Sequence, residues 1–150
     1  MKNYLKLILG IFIIALTACS THNKTELEFL QSQEKTKLGL PFSDAVKVND
    51  MLFLAGQIGM DHAVRKLVEG GIEAETAQVL ENIKAVLKAN GSDLDHVVKC
   101  TVILADINDF AAMNKVYISY FKHNFPARTT FSAQLVAGAK IEIEALAVIK

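Results

Sequence analysis

An arginine in the stretch FPARTTF, residues 125–131, is the first side chain of this sequence whose type and setting suggest chemistry. A guanidinium is a planar fork of donors that stays charged at any working pH and matches a carboxylate bidentately. Arg128 therefore predicts recognition of a small carboxylate. An ion pair between subunits explains an arginine at this position equally well.

Two further polar side chains could take part in such a site. Glu142 lies in KIEIEALAVI, residues 140–149, where its carboxylate could hold a water molecule or move a proton, although a solvated strand residue is the plainer explanation. Asn114 shares a helical stripe with large apolar side chains, where its amide needs a partner that the backbone could supply. The candidate chemistry is carboxylate recognition beside a polarised water.

Strands and two helices must position these side chains. Apolar residues at helical spacing predict a helix over 73–89, with acidic residues in its first turn, Lys88 in its last and Gly91 just beyond. The other elements are predicted as strands 45–48 and 51–59 around an Asn-Asp turn, a buried strand over 96–106, a helix over 107–125, and strands at about 128–136 and 141–149. The order ββαβαββ predicts an α+β domain with two helices on one face of a mixed sheet.

The last strand predicts an oligomer. Alternate residues from Ile141 to Ile149 are apolar on one face, while Leu146 and Val148 follow two glutamates on the other. Since two helices cover only one face of a sheet, the other face requires a second subunit as cover.

The spacing of Arg128 and Glu142 also predicts an oligomer. Arg128 and Thr130 share one face of their strand, and in a hairpin around Gly138 the residue opposite Glu142 is Gln134. Glu142 then shares the face of Arg128 at a distance of roughly 20 Å. A pocket that uses both side chains must therefore be built from two subunits.

The amino terminus predicts export. Lysines, a short apolar run and small residues before Cys19 are typical of a secretory signal peptide, here 1–18. The segment LTAC resembles the bacterial lipobox, in which the cysteine is diacylated; an ordinary secretory signal or an uncleaved anchor is the alternative. The polar stretch 19–35 is interpreted as a tether, and 36–150 as the domain. We expect a membrane-anchored lipoprotein on the periplasmic side or at the cell surface.

Charge and the remaining reactive residues narrow the function. Sixteen basic residues balance sixteen acidic ones, which argues against a nucleic-acid partner. Cys100 lies in an apolar strand and is interpreted as a buried structural cysteine rather than a nucleophile. The four histidines show no metal-ligand spacing, so no metal is predicted.

Residues from about 37 to 150 resemble the RidA/YjgF family of enamine and imine deaminases. The resemblance rests on LPFSDAVKVNDMLFLAGQIGMD, on the segment from AETAQVLENIKAVL to DINDFAAMN, and on FPARTTFSAQLVAGAKIEIEALAV. It implies a homotrimer of chorismate-mutase-like domains around a central barrel, with pockets between subunits. The implied reaction is the hydrolysis of 2-imino or 2-enamino acids such as 2-aminoacrylate to 2-keto acids and ammonia, without a cofactor.

The resemblance also implies residue roles. Arg128 would clamp the substrate carboxylate, Glu142 would position the attacking water, and Asn114 and the backbone of Gly56 would line the pocket. Three positions depart from the usual family pattern: the common tyrosine is Phe42, the common serine is Ala55, and the common cysteine is Thr130. The loss of two hydroxyls at Phe42 and Ala55 makes the pocket more apolar, whereas Thr130 keeps a hydroxyl on the face of Arg128. The alternatives are weaker deamination or a different substrate on one side, and neutral drift within a working enzyme on the other.

Three functions remain open from the sequence. Arg128, Glu142 and Asn114 together favour an exported imine or enamine deaminase. Phe42 and Ala55, together with export, favour a non-catalytic module that binds small carboxylates. Some members of the family have been described as ribonucleases or translation inhibitors, which the balanced charge and export disfavour here.

Overall fold

The computed structural model describes residues 25–32 and 39–150. The predicted signal peptide, Cys19 and part of the predicted tether lie outside these ranges. Within them the helices are α1 and α2 and the strands are β1 to β9, with these bounds: β1 Leu27–Leu30, β2 Ala45–Val48, β3 Met51–Leu54, β4 Gln57–Ile58, β5 Met60–Asp61, β6 Lys66–Leu67, α1 Gly71–Ala89, β7 Val97–Leu104, α2 Phe110–Tyr120, β8 Ala127–Ser132 and β9 Ile141–Val148.

Both predicted helices are present, and α1 follows its apolar spacing closely. Its stripe of Thr76, Val79, Leu80, Ile83 and Leu87 is buried against the sheet. The helix ends where Gly91 adopts a left-handed φ of 75° and the amide of Ser92 donates to the Leu87 carbonyl at 2.9 Å. The second helix is shorter than predicted, since α2 ends at Tyr120 rather than near residue 125.

The main sheet is mixed, as predicted, but its strand order corrects the predicted final hairpin. The order is β1-β2-β3-β9-β7-β8, with β4 also paired to β9. Strand β7 lies between β8 and β9; it pairs parallel with β8 and antiparallel with β9. The helix α2 connects β7 to β8 as a crossover, which places β8 parallel beside β7 and leaves the other edge of β7 to β9.

The first strand corrects the interpretation of 19–35 as one continuous tether. Leu27–Leu30 pairs antiparallel with β2, and Leu27 lies opposite Val48. The pairing continues beyond the strand, because the amide of Asn49 donates to the Glu26 carbonyl at 3.0 Å. These four residues therefore belong to the sheet: their backbone groups form hydrogen bonds with β2, although the sequence on both sides of them is polar.

The predicted strand 51–59 is interrupted by a bulge. Phe53 lies opposite Leu146, whereas Gln57 lies opposite Ile143. Three residues, 54–56, therefore stand against two residues of β9, and the extra residue bends the chain between β3 and β4. After β4, the short hairpin β5–β6 packs beside α1.

The sheet has one covered face and one open face. In β9 the alternate residues from Ile141 to Ala147 are buried among the helices, in agreement with the predicted pattern. On the opposite face Phe53 is 41% exposed and Phe131 is 45% exposed. None of the helices formed by residues 25–32 and 39–150 has both the length and the hydrophobicity of a membrane span.

Candidate active site

Glu142 lies at the bulge between β3 and β4. It pairs with Ile58 of β4 and Ile103 of β7, and its side chain lies against Gly56. A methyl group at Gly56 would overlap Oε1 of Glu142 and lie 3.0 Å from Cδ. The glycine is therefore required for the close approach of this carboxylate to the backbone.

A cavity of about 860 Å³ opens beside Glu142. Its lining includes Phe42, Ala55 and Gly56, three of the positions named from the sequence. We call Phe42, Ala55, Gly56 and Glu142 the glutamate half-site. The segment before β2, the bulge and β9 bring these residues together from sequence positions up to a hundred residues apart.

Arg128 lies on the edge strand β8, opposite the buried Cys100 of β7. Its guanidinium carbon is 4.6 Å from the ring centroid of Tyr117 and 5.7 Å from that of Phe110. Both rings belong to α2, so the helix forms an aromatic platform under the charge. This stacking fixes the plane of the fork and removes part of its hydration.

Asn114 and Thr130 belong to the same region. Positions 110, 114 and 117 share one face of α2, so Asn114 lies on the face that carries the two rings. Thr130 lies opposite Val102, two residues along β8 on the face of Arg128. We call Asn114, Arg128 and Thr130, with their platform of Phe110 and Tyr117, the arginine half-site.

The charge of Arg128 has no acidic partner among the described residues. The ion pairs within 25–32 and 39–150 involve lysines and one histidine, and none includes Arg128. The side chain is half-buried, so its fork is held beside α2 rather than extended into solvent. An oriented, partly desolvated guanidinium without an acidic partner in the described part of the chain is suited to an incoming carboxylate.

Within one subunit the two half-sites are separate, and the sequence analysis was wrong about their faces. Arg128 of β8 and Ala145 of β9 both lie opposite Cys100 of β7, on the helix-covered face. Glu142 lies opposite Ile103 of β7, on the open face. Two strand spacings and three residues separate the Cα atoms of Arg128 and Glu142, roughly 14 Å. The described lining of the cavity does not include Arg128.

Tyr117 is one of the large side chains of the predicted helical stripe that includes Asn114, and its ring contacts the candidate ligand-binding arginine. The residue is 3% exposed, and its burial, with a smaller contribution from the neighbouring Cys100 thiol, raises the pKa of its hydroxyl. Burial likewise raises the pKa of the Cys100 thiol, which fits the predicted structural cysteine. The two groups influence each other's ionisation, yet the hydroxyl makes no hydrogen bond of acceptable geometry to a described residue. The sequence offered one signal for this contact: Tyr117 lies three residues after Asn114, on the same face of the predicted helix.

No group of three or more histidine, cysteine, aspartate or glutamate side chains that could hold a metal ion occurs in the described part of the chain. The two half-sites themselves contribute a guanidinium, a carboxylate and an amide.

Comparison with known proteins shows the family to which this α+β chain belongs. A sequence model of the family described as endoribonuclease L-PSP matches residues 34–149. The chain belongs to this family, and the predicted RidA/YjgF resemblance is confirmed at that level.

Known relatives carry deaminase and RidA or YjgF names. The chain is 50% identical over 109 residues to the human protein named 2-iminobutanoate/2-iminopropanoate deaminase, covering 72% of this chain and 80% of the relative. The structure of RidA from the Antarctic bacterium Psychrobacter is 39% identical with a TM-score of 0.71, covering 73% of this chain and 89% of that one. The Escherichia coli YjgF gene product is 32% identical with a TM-score of 0.68, with the same coverage of 73% and 89%.

Proposed function

We propose that this protein hydrolyses reactive 2-imino and 2-enamino acids to 2-keto acids and ammonia. The deaminase name of the human relative supports the reaction class. The observation that carries the proposal is the half-buried Arg128 fork, stacked on Tyr117 and without an acidic partner among the described residues. Such a group binds the carboxylate that every 2-imino acid carries.

The chemistry needs few groups. Arg128 holds the carboxylate, which places the adjacent imine carbon beside the water that Glu142 orients. Water adds to the carbon–nitrogen double bond, the nitrogen takes up protons, and ammonia leaves as the carbonyl of the 2-keto acid forms. Positioning and electrostatic stabilisation supply the rate enhancement, and no cofactor takes part.

The complete pocket is assembled from two copies of the chain. One half-site has a cavity beside a carboxylate, and the other has a cation on an aromatic platform at an edge strand. Neither binds and hydrolyses an imino acid alone, whereas Arg128 of one copy facing Glu142 of the next completes a site. The open sheet face, with Phe53 and Phe131 exposed, supports the same association. We propose a homotrimer in which each interface holds one pocket.

The site of action in this proposal is outside the cytoplasm. A signal peptide over 1–18 and a diacylated Cys19 would anchor the domain to a membrane on the periplasmic side or at the cell surface. The basic, apolar and lipobox-like sequence of the amino terminus supports this assignment. Mass spectrometry of the mature protein tests it directly, since an unmodified first residue other than Cys19 would contradict it.

The reaction is tested with imines generated in place by an amino-acid oxidase, with release of 2-keto acid as the readout. Loss of a charge-assisted hydrogen bond of about 1.5–3 kcal/mol predicts that Arg128→Ala turns over the imine at least about tenfold more slowly. Lys122→Ala removes an exposed cation of the same region and serves as the matched control.

Two other outcomes would replace the proposal. Equal rates of imine turnover for wild type and Arg128→Ala would rule out the proposed deaminase function. Tight binding of 2-keto acids without turnover would favour a non-catalytic module, the function that the missing hydroxyls at Phe42 and Ala55 support.

A further inference from the structure

We infer that Glu75 is a positioning residue for Glu142: its carboxylate ties the start of β9 to α1 and so fixes where the Glu142 carboxylate meets the attacking water. Glu75 lies early in α1 and is not among the residues that line the cavity. This role rests on the proposed deaminase function.

Glu75 is a buried carboxylate that binds the main chain. Only 5% of the residue is exposed, and its Oε2 accepts from the amide of Lys140 at 2.8 Å, across 65 residues of sequence. Burial of a carboxylate is costly, and a hydrogen bond from a backbone N–H offsets part of that cost. An apolar side chain would cover the sheet at least as well, which leaves the bond to Lys140 as the reason for a carboxylate at this position.

Lys140 stands directly before β9, two residues ahead of Glu142. Both of its backbone polar groups are held, since the amide donates to Glu75 and the carbonyl accepts from the amide of Ala105 at 2.9 Å. The chain reaches this point through the short 3₁₀ turn Val136–Gly138. The bond to Glu75 therefore fixes the chain to α1 after this turn and immediately before β9 begins.

The strand on the other side of Glu142 also packs against Glu75. Ile58 of β4 lies opposite Glu142, and Gly59 follows it directly. A Cβ atom built on Gly59 would lie 2.6 Å from both Cβ and Cγ of Glu75 and 2.8 Å from its Cα, so only a glycine allows this close approach. Glu75 therefore contacts both main-chain segments that pair at Glu142, one by packing and the other by a hydrogen bond.

The position of the Glu142 carboxylate depends on how β9 lies beside the bulge. Its side chain is in close contact with Gly56, so a shift of β9 changes where the carboxylate lies. Misplacement of a reacting group by about 1 Å costs on the order of a hundredfold in rate. Because the proposed binding of the substrate carboxylate depends on Arg128 of another strand, the loss should appear in kcat rather than in KM.

The first test compares variants of Glu75 in the full-length protein, with imines generated by an amino-acid oxidase. Glu75→Ala removes the carboxylate, and we expect kcat to fall at least about tenfold while KM stays within about twofold of wild type. Glu75→Gln keeps an oxygen at the same reach from α1 and should recover most of the lost kcat. Glu75→Asp keeps the charge but is one methylene too short for the Lys140 amide, so its kcat should fall as well.

Ser92→Ala is the matched control. The Ser92 hydroxyl is also buried and donates to the carbonyl of Val148 at 2.6 Å, at the opposite end of β9. Val148 is six residues from Glu142, roughly 20 Å along the strand. Loss of this bond should lower the melting temperature and leave kcat unchanged. An equal fall of kcat in Ser92→Ala and Glu75→Ala would show a general effect of stability and overturn the inference.

A double-mutant cycle tests whether Glu75 acts through Glu142. In a Glu142→Gln background, Glu75→Ala should cause no further loss of kcat. A further loss of the full size would overturn the positioning role, as would an unchanged kcat in Glu75→Ala or a loss that Glu75→Gln does not recover.

Nuclear magnetic resonance provides a measurement that is independent of turnover. The resonance of the Glu142 carboxyl carbon, assigned by its absence in Glu142→Gln, should shift in Glu75→Ala and Glu75→Asp and stay in place in Ser92→Ala. If wild type hydrolyses no imine, the proposed function is wrong, and this resonance then decides the inference by itself. A shift confined to the Glu75 variants supports the positioning of Glu142, and an unshifted resonance rejects it.

Discussion

The two half-sites are built in different ways. The glutamate half-site depends on backbone geometry: a bulge and a glycine let Glu142 lie against the main chain beside a cavity. The arginine half-site depends on side-chain packing, since α2 carries two rings under a guanidinium on an edge strand. One provides space and a carboxylate, and the other provides a cation and an amide. In the proposed oligomer, each subunit would contribute one half-site of each kind to its neighbours.

The largest expected effect is complementation between two inactive variants. Arg128→Ala loses one half-site and Glu142→Gln loses the other, so each alone should be nearly inactive. After unfolding and refolding together in equal amounts, random association would restore about one quarter of the sites. Keto-acid release from the mixture measures the recovery. A mixture no more active than its components would show that each site lies within a single chain.

Gly56→Ala tests the backbone dependence of the glutamate half-site. The added methyl overlaps the end of a flexible side chain, so Glu142 must turn away while the fold loses less than about 1 kcal/mol of stability. We expect kcat/KM to fall about tenfold, equivalent to about 1.4 kcal/mol. In a Glu142→Ala background the same substitution should cause no further loss of activity. An additive loss would show that Gly56 acts through something other than its contact with Glu142.

Tyr117 tests the packing dependence of the arginine half-site. Tyr117→Phe keeps the ring and removes a buried hydroxyl without a partner among the described residues, so we expect a gain in unfolding free energy of up to about 1 kcal/mol. Tyr117→Leu removes the platform, and a lost cation–π contact of about 0.5–2 kcal/mol should appear mainly as a higher KM. Phe110→Leu should have the smaller effect, since its ring is farther from the guanidinium. A higher KM for Tyr117→Phe than for Tyr117→Leu would reject the stacking role.

The smallest expected effect is a change in stability at Asp93. This residue lies outside both half-sites and therefore serves as a reference. Its hydrogen bond from His96, with a contribution from Lys150, lowers the pKa of the carboxyl from 3.8 to about 2. Because the folded pKa is the lower one, this stabilisation is present above pH 3.8 and is lost as the pH falls towards 2. Urea unfolding of wild type and Asp93→Asn should differ near neutral pH and converge in acid. Imine turnover at neutral pH should be the same for both.

The predictions that were right rest on the spacing of apolar residues within a single helix or strand. Helical spacing in 73–89 and alternation in 141–149 determine which side chains share a face, because those periods are properties of the backbone. The family resemblance named positions that fall into two groups: Phe42 and Ala55 line the cavity beside Glu142, and Asn114 lies on the face of α2 that carries the two rings under Arg128. Their roles in a site stay predictions. The short strand Leu27–Leu30 was missed because its sequence carries little pattern and its pairing with β2 is a tertiary contact.

The sequence by itself determined the α+β class, the faces of α1 and β9, and the types of side chain available for carboxylate chemistry. Only the tertiary structure decided that β7 separates β8 from β9, that Arg128 and Glu142 lie on opposite faces, and that Gly56 contacts a glutamate 86 residues away. Periodicity is local, whereas the choice of a strand's neighbour depends on crossovers and on burial summed over the whole sheet.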